Sequence, residues 1–183
     1  MTPQTVLLTG GTRSGKSALA QRWAEAVSPR RVFIATARAE DAETARRVRR
    51  HQQQRGAGWE ALEAPRDVLA ALDKASARGG AVVLDCVTMW LSNMMADGES
   101  SPDVLRQVAA LAAWLERAPV PAAVVTAELG SGIVPMSALG REFRDVQGEA
   151  NQILAAACRH VVLVACGLPL SLKGGVPEEW RCE

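Results

Sequence analysis

The sequence predicts an α/β fold, one mainly parallel β-sheet flanked by helices on both faces. Three observations predict it. Short apolar, β-rich runs recur along the chain, with amphipathic helical segments between them. Those runs are continuously apolar rather than alternating, which is the pattern of strands buried on both faces. The first run, Thr5-Val6-Leu7-Leu8-Thr9, leads straight into Gly10-Gly11-Thr12-Arg13-Ser14-Gly15-Lys16-Ser17, and a helix follows. That octapeptide fits G-x-x-x-x-G-K-[ST] at every fixed position, so the fold is of the P-loop NTPase type. Successive backbone N–H groups of such a loop curl around phosphates, and the helix dipole adds partial positive charge. Lys16 is placed to reach the β- and γ-phosphates, and the Ser17 hydroxyl to ligate Mg²⁺. A chance Gly-rich β–α turn is the bland alternative, and the strand before and helix after weigh against it.

The 183 residues suit a single domain spanning 1–183, with neither an internal repeat nor a linker. Hydrophobic residues make up 48% and charged residues 22%, a globular balance rather than a disordered one. Basic and acidic residues nearly cancel at 21 against 20, which argues against nucleic acid as a partner. No apolar run approaches membrane-spanning length, and the N-terminus lacks a signal-peptide layout, so the expected location is the cytoplasm. Cysteines at 86, 158, 166 and 182 form no C-x-x-C pair. Cys86 and Cys166 end predicted strands and are read as reduced core thiols.

Taken in order, the first helix runs from Ala18 to Val27 with Leu19, Trp23, Ala26 and Val27 on one stripe. Arg31–Ala35 is the second strand. Ligands of open α/β sheets sit beyond strand carboxyl ends, which puts Ala35, Thr36 and Ala37 near the nucleotide. A polar helix is expected over about 40–55, with Arg46, Arg47, Arg49, Arg50 and Arg55 around His51. It reads either as a solvated basic face or as a phosphate-handling surface centred on a histidine. Trp59–Pro65 is a short extended piece, and Asp67–Ala77 an amphipathic helix closed by Gly79-Gly80. Ala81-Val82-Val83-Leu84-Asp85 is an apolar strand ending in a carboxylate. Asp85 is either the second metal-site residue of a phosphate-loop protein or a strand-ending aspartate.

Cys86–Met95 is a helix or irregular turn whose Met and Trp residues serve core or subunit contact. Trp90-Leu91 and Met94-Met95 are taken as exposed and suited to subunit contact. Asp97–Pro102 is the clearest loop, and Asp103–Arg117 a helix with Val104, Val108, Leu111 and Leu115 on one face. Ala122–Thr126 is a strand, and Glu128–Pro135 a Gly-rich loop beyond its end. Ser137–Ala157 is a long helix with an unusually polar set (Arg141, Arg144, Asp145, Gln147, Glu149, Asn151 and Gln152), some of it facing a partner or ligand. His160–Cys166 is the last core strand, followed by a loose tail containing Lys173.

Several blocks in this order resemble one family, the bifunctional adenosylcobinamide kinase/adenosylcobinamide-phosphate guanylyltransferases of cobalamin biosynthesis. Besides Gly10–Ser17 they are Ile34-Ala35-Thr36-Ala37, the Arg47…His51…Arg55…Trp59…Glu63-Ala64-Pro65 stretch, and Leu84-Asp85-Cys86-Val87-Thr88-Met89-Trp90-Leu91-Ser92-Asn93. Later come Glu128-Leu129-Gly130-Ser131-Gly132-Ile133-Val134-Pro135, Gly140-Arg141-Glu142-Phe143-Arg144-Asp145-Val146-Gln147-Gly148, Asn151-Gln152 and Gly167-Leu168-Pro169. The resemblance covers nearly the whole chain. It implies two reactions: phosphorylation of adenosylcobinamide by ATP or GTP, then transfer of GMP from GTP to adenosylcobinamide-phosphate. It implies a covalent histidine–GMP intermediate, placed here on His51. It also implies nucleotide contacts from Gly10, Gly11, Thr12, Arg13, Ser14, Gly15, Lys16 and Ser17, from Ala35, Thr36 and Ala37, from Gln52, Gln53, Gln54 and Arg55, and from Glu63 and Asp85. The relatives assemble as homo-oligomers, a trimer being the order considered.

The residues make chemical sense of this. His51 sits on an exposed polar helix, where packing does not account for it. A neutral imidazole is a competent nucleophile toward an α-phosphate, and nearby arginines disfavour the imidazolium. An ordinary surface histidine is the alternative. His160 leads a core strand and reads as structural. Glu63 can accept from the guanine N1–H and 2-amino donors. Where many relatives carry Ser-Asn-Glu-Val-Gly, this chain has Thr126-Ala127-Glu128-Leu129-Gly130, which leaves the fold intact but removes one polar side chain from the loop. Residues 174–183 match nothing in the family and are expected to be disordered. Two other functions compete: a simple small-molecule kinase without histidine chemistry, and a nucleotide-dependent switch.

Overall fold

The computed structural model describes residues 4–38, 56–177 and 180. Its strands are β1 Thr5–Thr9, β2 Arg31–Ala35, β3 Trp59–Glu63, β4 Ala81–Asp85, β5 Ala122–Val125, β6 His160–Ala165 and β7 Leu168–Lys173. Its described helices are α1 Lys16–Val27, α2 Val68–Ser76, α3 Val87–Ala96, α4 Ser101–Glu116 and α5 Ala138–Ala157. The strands form one sheet in the order β3-β2-β4-β5-β1-β6-β7. β1 to β6 pair in parallel, and β7 runs antiparallel along β6.

The continuous apolar runs feed two cores, because successive side chains of a strand point to opposite faces. Leu7 joins one core with Leu72, Trp90, Leu111 and Leu154 from α2 to α5. Val6 and Leu8 join the other with Leu19 and Trp23 of α1. Helices on both faces thus answer strands that are apolar on both sides.

Several expectations are corrected. The buried stripe of α1 is Leu19, Ala20, Trp23 and Ala24, while Ala26 is exposed, so the helix is turned by part of a residue from the predicted face. The loop at 97–102 ends sooner, with α4 beginning at Ser101. Ser100 Oγ accepts from Asp103 N at 3.4 Å, and Pro102 lies in the first turn, where a missing N–H costs nothing. Trp90, Leu91 and Met94 are buried rather than exposed, because α3 packs against α4 and α5 and presents them to the core.

The expected loose tail after Cys166 is strand β7. Cys166 (φ 53°) and Gly167 (φ 81°) both occupy the left-handed region and make a two-residue hairpin turn. That turn leaves Cys166 exposed instead of buried, while Cys86 is half-buried against the α1-side core and Cys158 is buried. Lys173, at the end of β7, donates to Ala155 O at 2.9 Å and Ala156 O at 2.7 Å, closing the C-terminus of α5. Nor is 174–183 wholly without structure, since Trp180 is buried in the α1-side core.

Candidate active site

The strand register brings the predicted site to one edge of the sheet. Ala35 pairs with Glu63 on one side and Asp85 on the other, and Asp85 pairs with Val125. Val125 pairs with Leu8, one residue before the end of β1. The carboxyl ends of β3, β2, β4, β5 and β1 therefore form one ledge, with Glu63 and Asp85 two strands apart. The phosphate loop opens from its β1 end. β5 lies between the loop strand and the Asp85 strand.

Gly15 precedes α1 at φ 102° and offers no side-chain cap. Leu19 N is the first α1 amide bonded to the loop, at 3.0 Å from Gly15 O. The N–H groups ahead of it point toward an anion. Lys16 Nζ donates to Gly10 O at 2.8 Å, Gly11 O at 2.6 Å and Ser14 Oγ at 3.4 Å. Burial lowers its pKa, with the negative side of Cys86 and Asp85 opposing that shift. The ammonium thus lies within electrostatic reach of Asp85, on the next strand but one. Ser17 and Asp85 are hard oxygen donors suited to Mg²⁺. Among the described residues no group of three His, Cys, Asp or Glu side chains could cage an ion. Such a donor pair fits a metal that keeps waters and takes its other ligands from nucleotide phosphates.

The β6–β7 hairpin braces the loop, a contact that sequence reasoning missed. Gly167 N donates to Ser14 O at 2.9 Å. A Cβ on Gly10 would lie 2.3 Å from Val164 O, and one on Gly15 would lie 3.2 Å from Gly167 Cα. Glycine is required at Gly10 for space as well as for its φ of 144°.

Thr36 is fully buried. Its hydroxyl donates to Cys86 O at 2.7 Å and accepts from Cys86 N at 2.8 Å. The Asp85–Cys86 peptide is cis. Asn93 Nδ2 donates to Thr36 O at 2.8 Å and Pro65 O at 2.9 Å, tying α3 to the ends of β2 and β3. Ala35 and Ala37 flank Thr36 and are half-buried, while Glu63 is exposed. Burial and the adjacent Asp85 carboxylate push the Cys86 thiol up to about 12. Nearby, Arg38 pairs with Asp97 through both carboxylate oxygens (2.8 and 2.6 Å), and Arg66 pairs with Asp97 and Glu99. Hydrogen bonding from Arg38 holds the Asp97 carboxyl below its ordinary range.

On the other side of the phosphate loop, Glu128 N donates to Gly10 O at 3.1 Å. The loop from Glu128 to Pro135 therefore starts against the cradle. Glu128 accepts from Gly130 N at 2.6 Å and Ser131 N at 3.3 Å. Burial raises the Glu128 pKa, but bonds from Ser131 and Gly130 outweigh it and the net shift is downward. Beneath the loop, Gln147 Nε2 donates to Thr126 Oγ1 at 2.9 Å. Asn151 Nδ2 donates to Ala127 O at 2.9 Å, and Thr88 Oγ1 accepts from Ala127 N at 2.8 Å. The backbone of Ala127 is thus fixed without an asparagine side chain. Of the polar α5 set, Gln147 is buried, and Arg144, Asp145, Glu149 and Gln152 line an open cavity of about 650 Å³. His160, half-buried at the start of β6, has Nδ1 3.2 Å from Gly175 O. His51, Gln52, Gln53, Gln54 and Arg55 lie outside the described residues.

Solved structures with this architecture include a KaiC-like protein from Pyrococcus horikoshii. Its TM-score is 0.51 at 19% identity, over 87% of this chain and 70% of that one. The type III secretion ATPase EscN of enteropathogenic Escherichia coli has a TM-score of 0.55 at 18% identity, over 97% of this chain and 50% of that one. At that identity they bear on fold alone. The sequence itself is more specific. A bifunctional adenosylcobalamin biosynthesis protein, CobP, from Pseudomonas aeruginosa is 38% identical, over 92% of this chain and 96% of its own length. Another, CobU from Salmonella typhimurium, is 36% identical over 92% and 99% respectively. The model of the CobU family, described as cobinamide kinase / cobinamide phosphate guanyltransferase, matches residues 6–172, from β1 to β7 and so across the whole ledge, and the chain belongs to that family.

Proposed function

We propose that the chain carries out both reactions of its family on one triphosphate cradle, with His51 as the residue that separates them. The observation that carries this is the ledge on which the Gly10–Ser17 loop, Asp85, Ala35 and Glu63 meet. In the kinase reaction the hydroxyl of adenosylcobinamide attacks the γ-phosphorus of ATP or GTP. Its O–P bond forms as the β–γ bridge breaks, the nucleoside diphosphate departs, and the hydroxyl proton passes to solvent. Lys16 offsets charge on the β- and γ-oxygens, and the α1 N–H groups hold them in place. Mg²⁺, held by Ser17 and Asp85, would supply further neutralisation of phosphate charge.

In the second reaction a neutral nitrogen of His51 attacks the α-phosphorus of GTP. An N–P bond forms, and the bond to pyrophosphate breaks. A phosphate oxygen of adenosylcobinamide-phosphate then attacks that phosphorus, the N–P bond breaks, and adenosylcobinamide-GDP leaves. Glu63, exposed at the end of an edge strand, accepts from guanine donors that adenine lacks, which selects GTP for this step.

The test is incubation with α-labelled GTP and isolation under mild alkali. An acid-labile label on the wild type, lost in His51→Ala while cobinamide phosphorylation persists, supports the assignment. A wild type that turns over adenosylcobinamide to its phosphate without ever taking label would leave only the kinase.

A further inference from the structure

Resting on that functional reading, we propose that the cavity over the middle of α5 is the seat of the corrin macrocycle, with Gly148 as the point where the ring lies against the helix. Three observations meet there.

The first is Gly148 itself. It lies mid-way along the 20-residue helix α5, where glycine is among the least favourable residues. A Cβ at Gly148 would meet nothing within 4 Å. Gly140, in the same helix, is different, because a Cβ there would lie 2.9 Å from both Pro135 Cβ and Ser137 Oγ. Packing within the chain accounts for one glycine and not the other. A bare stretch of helix backbone with open space above it suits a broad, flat ligand.

The second is the chemistry of the walls. Asp145, Gly148, Glu149 and Gln152 fall on one helical face and line the cavity with Glu142 and Arg144. Glu142, Asp145 and Glu149 give three carboxylates against one guanidinium. An alkylated cobalt(III) corrin carries net positive charge, and its rim bears carboxamides that both donate and accept. The walls complement it in both respects. Ile133 (97% exposed) and Met136 (99% exposed) belong to the same loop that supplies Gly130. They offer apolar contact to a ring face.

The third is continuity. That loop begins at Glu128, whose N–H is bonded to Gly10 O of the phosphate cradle. A ring seated over Gly148 has its side arm directed along the loop toward the phosphates.

The experiment compares wild type, Gly148→Ala and Gly148→Leu in three assays: KM for adenosylcobinamide in the kinase reaction, labelling by α-labelled GTP, and sedimentation. Gly148→Leu is expected to raise that KM by about tenfold or more while GTP labelling stays within about twofold of wild type. Gly148→Ala is expected to raise Tm by roughly 2–4 °C and still to weaken corrinoid binding, so a better helix makes a worse enzyme. It also carries the test if the leucine variant fails to fold. An unchanged KM in the variants overturns the proposal, as does an altered sedimentation coefficient with KM unchanged, which would assign the face to a second copy. Loss of labelling in step with KM also overturns it. A wild type that never phosphorylates adenosylcobinamide instead defeats the functional reading beneath it.

Discussion

Thr36→Val isolates the role of a residue that sequence reasoning placed beside the nucleotide. Valine keeps the shape and removes the hydroxyl, which bonds Cys86 O at 2.7 Å and Cys86 N at 2.8 Å. Thr36 is 0% exposed, so water does not replace either bond. Cys86 O keeps its bond from Trp90 N at 3.2 Å, so only Cys86 N is orphaned, at about 1–3 kcal/mol. The extra buried methyl returns about 1 kcal/mol. The net loss is about 0–2 kcal/mol, a measurable part of the ~5–15 kcal/mol that holds a domain together. Urea unfolding should show it as a lower midpoint at constant m, with Thr36→Ser closer to wild type. Because Cys86 follows Asp85, the same variant should need more Mg²⁺ for turnover. A Thr36→Val protein that melts like wild type yet fails to bind GTP would refute the reasoning, since the hydroxyl would then be a ligand contact and not a strut.

Two further outcomes follow from the same geometry. Gly10→Ala places a Cβ 2.3 Å from Val164 O at a φ of 144°, so it should cost roughly 2–4 kcal/mol and most nucleotide affinity, measured by unfolding and GTP titration. Gly11→Ala, with nothing within 4 Å, should leave stability near wild type in the same unfolding assay. Alkylation of the native protein at mildly alkaline pH, read by peptide mass, should modify Cys166 well before Cys86 or Cys158, because burial pushes both of the latter thiols up to about 12. The sign of the accompanying stability effect is set by folded values above the ordinary 9.0: the contribution is full below that pH and is lost as pH rises toward 12.

The phosphate loop was legible because its chemistry is local. The turn, the anion-binding amides and the lysine must fall within eight consecutive positions, so spacing alone exposes them. Alternate burial of the strands was legible for a similar reason, since a strand buried on both sides has to be apolar throughout. What joins Glu63 to Asp85 was not local. It depends on β2 lying between β3 and β4, an order that no run of residues states. Thr36 is the sharper case. The sequence placed it at the right edge, but its hydroxyl is spent on a peptide 50 positions away. β7 was within reach, since Leu168, Leu170 and Leu172 alternate after a two-residue turn. Pro169 within the run argues only against a central strand, since an edge strand tolerates proline. The turn conformation of Cys166 hid behind a residue type that seldom adopts it.

The sheet order also bears on how one cradle serves attack at two phosphorus atoms. The chain leaves the ledge after Arg38, which Asp97 anchors, and enters β3 through 56–58 at the opposite, amino-terminal edge of the sheet, where Arg31 N donates to Gly58 O at 3.0 Å and Arg31 Nη2 to Ala57 O at 2.5 Å. The residues that flank the segment with His51 therefore belong to β2 and β3. The loop from Glu128 and the cavity over Gly148 stand on the β5 side, with β4 and Asp85 between the two. The cradle itself is braced from a third direction, by Gly167 on Ser14. A histidine approaching from the β2–β3 side and a corrinoid approaching from the β5 side would use one fixed triphosphate without displacing each other's supports. The consequence is separability. His51→Ala should abolish GTP labelling and spare adenosylcobinamide phosphorylation, while Gly148→Leu should do the reverse at limiting corrinoid. If either variant damaged both half-reactions equally, the two approaches would share a support, and the division along β4 would be wrong.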